Sequence, residues 1–295
     1  MKRLFAASDY RRPNLAEQYE VAWCAPCAYG RITADLSPDR VATFYDVEYY
    51  THGAGISAEQ RRSLLEKVRT HIAWRFDEGS DFSPRELGTP GRIIDIGCGG
   101  GNNMEKLQAA GFGVVGVEPD PKARQVAARF GPVYSGTAEA LPQEVSDKFD
   151  YALLSHVLEH TISPSAALER VHGLLSQGGR LVVEVPNCDA SGFDEFGPNW
   201  PWTDVPRHLH FFTQQSLTKF LEAAGFSVSR VLFTGFTRQF NPSWISTLNA
   251  IHDELRTTEY SRSWWTRQSW GLLFRTALAS PNSKYDSIRM HAVRV

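Results

Sequence analysis

Residues 92–101, Arg-Ile-Ile-Asp-Ile-Gly-Cys-Gly-Gly-Gly, constrain this chain more than any other stretch. Ile93, Ile94 and Ile96 form a short β-branched apolar run, which suits a strand buried on both faces. The chain then turns through Gly97, Gly99, Gly100 and Gly101, where missing Cβ atoms let backbone approach a ligand. Residues 102–110 read as the helix that follows. A glycine turn between a parallel strand and a helix N-terminus marks the nucleotide-binding edge of a doubly wound sheet. A dinucleotide fingerprint, Gly-x-Gly-x-x-Gly, would need glycine where Asn102 stands. Asp95, inside the strand end, would also crowd a pyrophosphate. A cofactor with a cation and an amino group but no phosphate suits the pattern better.

Further motifs follow in order. Glu118 ends a second strand, 113–118, and lies 23 residues after Asp95. A carboxylate at that spacing can accept hydrogen bonds from both hydroxyls of a ribose. Then come Gly136-Thr-Ala-Glu-Ala-Leu-Pro142, Ser155-His-Val-Leu-Glu-His160 and Asn199-Trp-Pro-Trp-Thr-Asp-Val-Pro-Arg-His-Leu-His210. With Asp95-Ile-Gly-Cys-Gly-Gly-Gly101, this ordered set over roughly residues 90–235 resembles the class I S-adenosylmethionine-dependent methyltransferases. The resemblance implies an α/β, Rossmann-like, doubly wound sheet of seven strands in the order 3-2-1-4-5-7-6, with strand 7 antiparallel. It implies S-adenosyl-L-methionine as cofactor, its ammonium on Asp95 and its other groups against Gly97, Gly99, Gly101, Glu118 and Pro119. Thr137 and Ala138 would face the adenine edge, where relatives often have aspartate in place of Thr137. Ser155 and His156 would lie near the sulfur.

The strand and helix pattern agrees. Strands are expected at 113–118, 132–134, 149–154, 180–185, 227–234 and 287–295, with helices at 121–130, 164–175 and 214–224 between them. Ser163 caps the helix that Pro164 opens, and Thr213 caps the later one. Repeated βα units imply a parallel sheet with right-handed crossovers. Before the core, 57–76 reads as a helix capped by Ser57, with Leu64, Leu65, Val68, Ile72 and Phe76 at the spacing of a buried face. Residues 1–50 read as irregular. The organisation expected is an N-terminal helical and irregular extension (1–90), a methyltransferase core (91–235), a helical insertion (236–284) and a final core strand (285–295).

Composition narrows the remaining choices. With 295 residues, 42% hydrophobic and 22% charged, the chain has room for one large α/β domain with additions. A net charge of −2 gives no reason to expect a nucleic-acid surface. No apolar run approaches the roughly 20 residues of a membrane span, and the first ten residues lack the apolar core of a signal peptide. A cytoplasmic protein is expected. Cys98 and Cys188 are isolated, so no disulfide framework is indicated. Cys24-Ala-Pro-Cys27 is half of a tetrahedral zinc site without a second half. Zinc and redox roles stay open, with structural cysteines the expectation.

The acceptor side is written less firmly. The segment 44–50 is rich in tyrosine, and Tyr49 is a candidate acceptor contact, unless these rings only pack the N-terminal layer. His156, Glu159 and His160 have i, i+3, i+4 spacing, which would gather three ligands on one helical face. Some small-RNA and quinone methyltransferases bind a metal through a related Glu-x-x-Glu-His, but the first glutamate is His156 here. Leu-Glu-His is also widespread in members without metal, so the expectation is that these residues shape the loop by hydrogen bonds, with no metal. Trp200 and Trp202 would supply apolar walls, and Arg207, His208 and His210 polar groups. His208 matches the family's His-Leu position and is the candidate general base, or a histidine bonding the cap of the next helix. His156 and His210 are further catalytic candidates. Trp-rich 236–284 reads as a lid or peripheral membrane contact, a homodimer interface, or a helical pair beside the last strands, the last being the expectation.

Methyl transfer to an oxygen or nitrogen of a small molecule (a sugar, lipid-linked precursor or secondary metabolite) is therefore the expected activity. The alternative is a protein that keeps this fold and binds the cofactor without turnover.

Overall fold

The computed structural model describes residues 1–12, 17–45, 64–79, 81–146, 148–255 and 262–295, except the side chains of 250–255 and 262–265. The N-terminal extension is not irregular. It forms strands β1 (Lys2–Ser8), β2 (Gln18–Cys24) and β3 (Tyr29–Ile32), then a short helix α1 (Pro38–Thr43). In β2, Tyr19 and Val21 are buried while Gln18 and Glu20 are exposed, the alternation of a half-buried strand. The sheet has the order β1-β2-β3-β9. Its last member β9 (His210–Phe212) comes from beyond the fifth core strand and pairs Tyr29 with Phe212. A four-residue strand whose partner is so distant in sequence has little local signature.

Helix α2 (Leu64–Phe76) also departs from expectation. Leu64 and Leu65 are 76% and 69% exposed, and Val68 and Phe76 are exposed too, while Arg69 and Ala73 are buried. Arg69 decides the orientation. Its Nε donates to the Phe240 carbonyl at 3.0 Å and its Nη1 to Ser269 Oγ at 3.2 Å. The face that carries a guanidinium is therefore turned inward. The proposed cap at Ser57 lies outside the described residues.

The core then alternates as β4 (Arg92–Ile96), α3 (Asn102–Ala109), β5 (Gly113–Val117), α4 (Pro121–Ala127), β6 (Val133–Tyr134), β7 (Phe149–Ser155), α5 (Pro164–Leu174) and β8 (Leu175–Pro186). After α6 (Ser191–Phe196) and β9 come α7 (Gln214–Ala223) and β10 (Phe226–Thr234). Three helices, α8 (Pro242–Leu255), α9 (Arg262–Thr276) and α10 (Pro281–Lys284), precede the final β11 (Ser287–Arg294). The seven-stranded sheet runs β10-β11-β8-β7-β4-β5-β6. Only β11 is antiparallel to its neighbours, so the order is the expected one. Ser163 and Thr213 both accept the predicted capping hydrogen bonds, from Ala166 and Ser216.

Both faces of the sheet are covered. Ile94 and Ile96 join the core beneath α5 and α7, whereas Ile93 packs with Met104 and Leu107 of α3 on the opposite face. A second apolar core lies outside the sheet. It unites Val21 and Ile32 of the N-terminal strands with Phe193 and Trp200 after β8 and with Phe240 and Leu273 of the insertion. The insertion and the N-terminal sheet thus contribute to one apolar core. Among the described residues, no helix is long and apolar enough to cross a membrane.

Candidate functional site

The C-terminal ends of β4, β5, β7 and β8 meet at one edge, and the chain's chemistry collects there. Gly97 and Cys98 both donate their N–H groups to the Val117 carbonyl, at 2.7 and 3.2 Å, folding the glycine turn against β5. Gly97 has φ +71°, and a Cβ there would lie 2.5 Å from Val157 Cγ2. Gly101 has φ +86°, and its Cβ would lie 2.9 Å from Ala127 Cα. Neither position accommodates a side chain. Glu118 holds the turn in place: its Oε2 accepts from Gly99 N–H and its Oε1 from Asp120 N–H, both at 2.9 Å. Each oxygen keeps a second lone pair for a ligand.

Asp95 is buried at the end of β4, and its Oδ2 has no hydrogen-bond partner among the described residues. Burial, reinforced by the Glu118 charge, pushes its carboxyl up to about 8. A buried acid with an orphaned oxygen is what an incoming ammonium would satisfy. The residues present therefore fit S-adenosylmethionine. Around the same edge, Thr137 uses its hydroxyl to accept from Ala140 N–H at 3.1 Å, so it braces its own loop. Ala138 beside it is buried. The Pro119 carbonyl accepts from Arg124 Nη1 at 2.5 Å. Ser155 is the last residue of β7.

His156 follows directly at φ +56°, a conformation uncommon outside glycine. Its Nδ1 is 3.2 Å from Glu159 Oε1 and its Nε2 3.6 Å from Glu184 Oε1. Burial alone would lower its pKa, but the two carboxylates outweigh that and raise it to about 9, so it is an imidazolium at neutral pH. Its ring stacks on Trp202 at 4.6 Å with 7° between planes, and Arg238 lies 5.0 Å from the same indole. Trp244 of α8 meets Trp202 edge-on at 5.5 Å.

The other two imidazoles behave differently. His208 Nδ1 lies 2.6 Å from the Trp202 carbonyl, and His160 Nδ1 lies 3.0 Å from the Arg207 carbonyl. Carbonyls only accept, so each Nδ1 carries the proton and each Nε2 a lone pair. Burial lowers both rings to about 4, so both are neutral at pH 7. Their centroids are 4.6 Å apart. Tyr45 Oη also reaches His160 Nδ1, at 3.0 Å. Glu159, His160 and His208 each offer a ligand atom, all within 4.8 Å of one another.

A family model described as a methyltransferase domain matches residues 58–231, more than half of the chain. The chain is a class I S-adenosylmethionine-dependent methyltransferase. Curated relatives include the ubiquinone biosynthesis O-methyltransferase of Cereibacter sphaeroides, 30% identical over 216 residues, 65% of this chain and 84% of that one. The protein of the same name from Ruegeria pomeroyi is 32% identical over 200 residues, 61% of this chain and 75% of that one. Among solved structures, the YcgJ protein of Bacillus subtilis superposes with a TM-score of 0.50 at 16% identity, covering 76% of this chain and 98% of that one, which supports the shared fold.

Not every expected acceptor residue of this methyltransferase is free to meet a ligand. Arg207 is fully buried, its guanidinium donating to Asp9 at 3.0 and 2.7 Å and to Asp204 at 3.0 and 2.8 Å. It is a brace with no donor to spare for a ligand. Trp200 is buried in the second core against Phe193. His210 sits in β9, its Nδ1 bonded to Tyr29 Oη. It lines a separate cavity of about 350 Å³ with Tyr29, Phe220 and the disulfide-linked Cys24 and Cys27. Tyr49 lies outside the described residues. The reading from sequence missed Glu184 and Asp9, which lie in no recognisable motif, and gave no role to Asp204 although it stands inside the 199–210 motif.

Proposed function

We propose that this methyltransferase methylates a hydroxyl oxygen of a small, flat acceptor bound between the glycine turn and Trp202. The observation that carries the reading is that two sets of groups gather at the ends of the neighbouring strands β4 and β7: the orphaned carboxyl oxygen of Asp95, and Glu159 with the Nε2 lone pairs of His160 and His208. The names of the Cereibacter and Ruegeria relatives favour an oxygen acceptor, and a phenolic precursor of a quinone is the class they suggest.

S-adenosylmethionine would supply an electrophilic methyl group on a sulfonium, with the neutral thioether as the leaving group. Asp95 holds the ammonium and Glu118 the ribose hydroxyls, which fixes the cofactor along the turn. Trp202, wedged among His156, Arg238 and Trp244, walls the acceptor and excludes water. The acceptor hydroxyl gives up its proton as its oxygen gains the methyl group, and Glu159, His160 and His208 are the groups placed to promote that loss. In-line alignment contributes most of the rate in such a displacement.

Calorimetric titration with S-adenosylmethionine, with NAD and Asp95→Ala as comparisons, tests the first half. Binding to the wild type alone, with NAD inert, is expected. A panel of phenols, catechols, sugars and amines tests the second: methylated oxygen in the phenolic class supports the reading. Methylated nitrogen, or binding with no transfer to any member, overturns it.

A further inference from the structure

Two cations meet the ring of Trp202, and residues of the last strand hold both. His156 lies flat on the indole, 4.6 Å away with 7° between planes, and Arg238 lies 5.0 Å from it. Glu184 of β8 takes hold of His156 twice. Its carbonyl accepts the His156 N–H at 2.8 Å, and its Oε1 lies 3.6 Å from Nε2. That carboxylate is aimed in turn: Thr234 Oγ1 donates to Oε1 at 2.9 Å and Arg289 Nε to Oε2 at 2.7 Å. Arg289 stands directly opposite Glu184 in the register of β8 with β11. Its Nη1 also donates to Glu86 at 2.9 Å. Arg238 is gripped by Asp286, the residue before β11, with Nε donating to Oδ2 at 2.9 Å.

Charges in these places are costly. Arg289, Glu184 and Asp286 are 1%, 6% and 0% exposed. Buried ion pairs often fail to repay their desolvation against an apolar pair of similar volume. An apolar pair would join β8 to β11 equally well, as Val183 and Met290 do one position along. What charge adds is direction: a carboxylate fixed by two donors points a third group along one line. His156 also has φ +56°, a backbone that persists only where its surroundings over-determine it. We propose that Glu184 is a positioning residue for methyl transfer: aimed by Arg289 of β11, it clamps His156 flat against Trp202, while Asp286 holds Arg238 to the same indole. In-line displacement depends on where the acceptor rests, so a wall that tilts costs turnover. The grip of Asp95 and Glu118 on the cofactor is left intact.

This inference rests on the O-methylation reading for its purpose, but one arm of its test needs neither cofactor nor acceptor. Histidine ring protons are followed by NMR of protein carrying isotope-labelled histidine, with His156→Asn assigning the signal. The ring current of Trp202 should hold the His156 signal upfield of the ordinary histidine range, and Glu184→Gln should return it toward that range. On an acceptor that the wild type methylates, Glu184→Gln should lower kcat/KM roughly tenfold and change cofactor affinity less than about threefold. His156→Asn should lose as much, and the double variant no more than either, since Glu184 acts through His156. A His156 signal at an unstacked position or unmoved in Glu184→Gln, full turnover in that variant, or losses that multiply in the double variant would overturn the clamp. Should Glu184→Gln not fold, Asp286→Asn combined with Trp202→Ala supplies the same cycle through Arg238: losses that do not multiply support the clamp, and losses that multiply remove it. If no acceptor is methylated, the O-methylation reading falls and the His156 signal alone decides the clamp.

Discussion

Arg207 and Asp9 meet in a buried, two-pronged ion pair, 2.7 and 3.0 Å long, across 198 positions of sequence. Asp204 shares the guanidinium and is itself held by Arg11. The pair ties the end of β1 to the loop that carries His208, and the carbonyl of Arg207 orients His160. The N-terminal sheet thereby helps to hold the loop that carries the proposed acceptor site.

Replacing Asp9 by Asn should destabilise the protein by about 3 kcal/mol, because a buried guanidinium loses one of two carboxylates. Urea unfolding at pH 7 measures the loss. Cofactor affinity should change less than threefold while acceptor turnover falls, since the damage lies at the loop rather than at the glycine turn. Equal losses at both ends would contradict this division.

Asp95 gives the cofactor-free protein a distinct pH dependence. Its folded pKa is raised to about 8, well above its unfolded value. The folded state therefore binds the extra proton between about pH 4 and 8, and stability falls across that window as pH rises. Against Asp95→Asn, the wild type should lose about 2–4 kcal/mol by pH 7. The unfolding free energies of the two proteins, followed from pH 4 to 8, should diverge; parallel curves would show that Asp95 ionises normally. Cofactor binding at pH 7 should also release up to about one proton, read as a buffer-dependent calorimetric enthalpy.

Gly97→Ala should weaken cofactor binding at least tenfold. The left-handed backbone costs about 1–2 kcal/mol for alanine, and the new Cβ would press on Val157 Cγ2. Gly178→Ala is the control, with φ +72° and nothing within 4 Å of its Cβ. It should show the backbone cost alone. Adding Val157→Ala to Gly97→Ala should recover part of the affinity.

Trp202→Ala should lower acceptor turnover at least tenfold through lost alignment and leave cofactor titration nearly unchanged. Its ring contacts are His156, His208, Arg238 and Trp244, the surroundings of the proposed acceptor. A comparable loss of cofactor affinity would move Trp202 to the other end of the crevice.

Much of the cofactor half was legible because its signals are local. Ile93 and Ile94 split between opposite faces, as a doubly buried strand requires, and Ser163 and Thr213 cap the helices that follow them. Glycine spacing and the placement of Asp95 and Glu118 at strand ends needed no long-range information. Arg207 and Trp200 were misjudged for the opposite reason. A polar or aromatic side chain in a loop reads as a ligand contact until its burial partners are known, and those partners, Asp9 and Phe193, lie on other elements.

The sequence by itself determined the core strands and helices, their caps and the glycine turn, because periodicity, capping and turn chemistry act over a few residues; the strand order and the cofactor came through the resemblance of its ordered motifs to a known family. Only the tertiary structure decided which face of α2 turns inward, that the first strands join β9, and that His208 stands beside His160 and Glu159. Those outcomes depend on buried charges finding partners far along the chain. No local pattern records where a guanidinium or an imidazole will be desolvated.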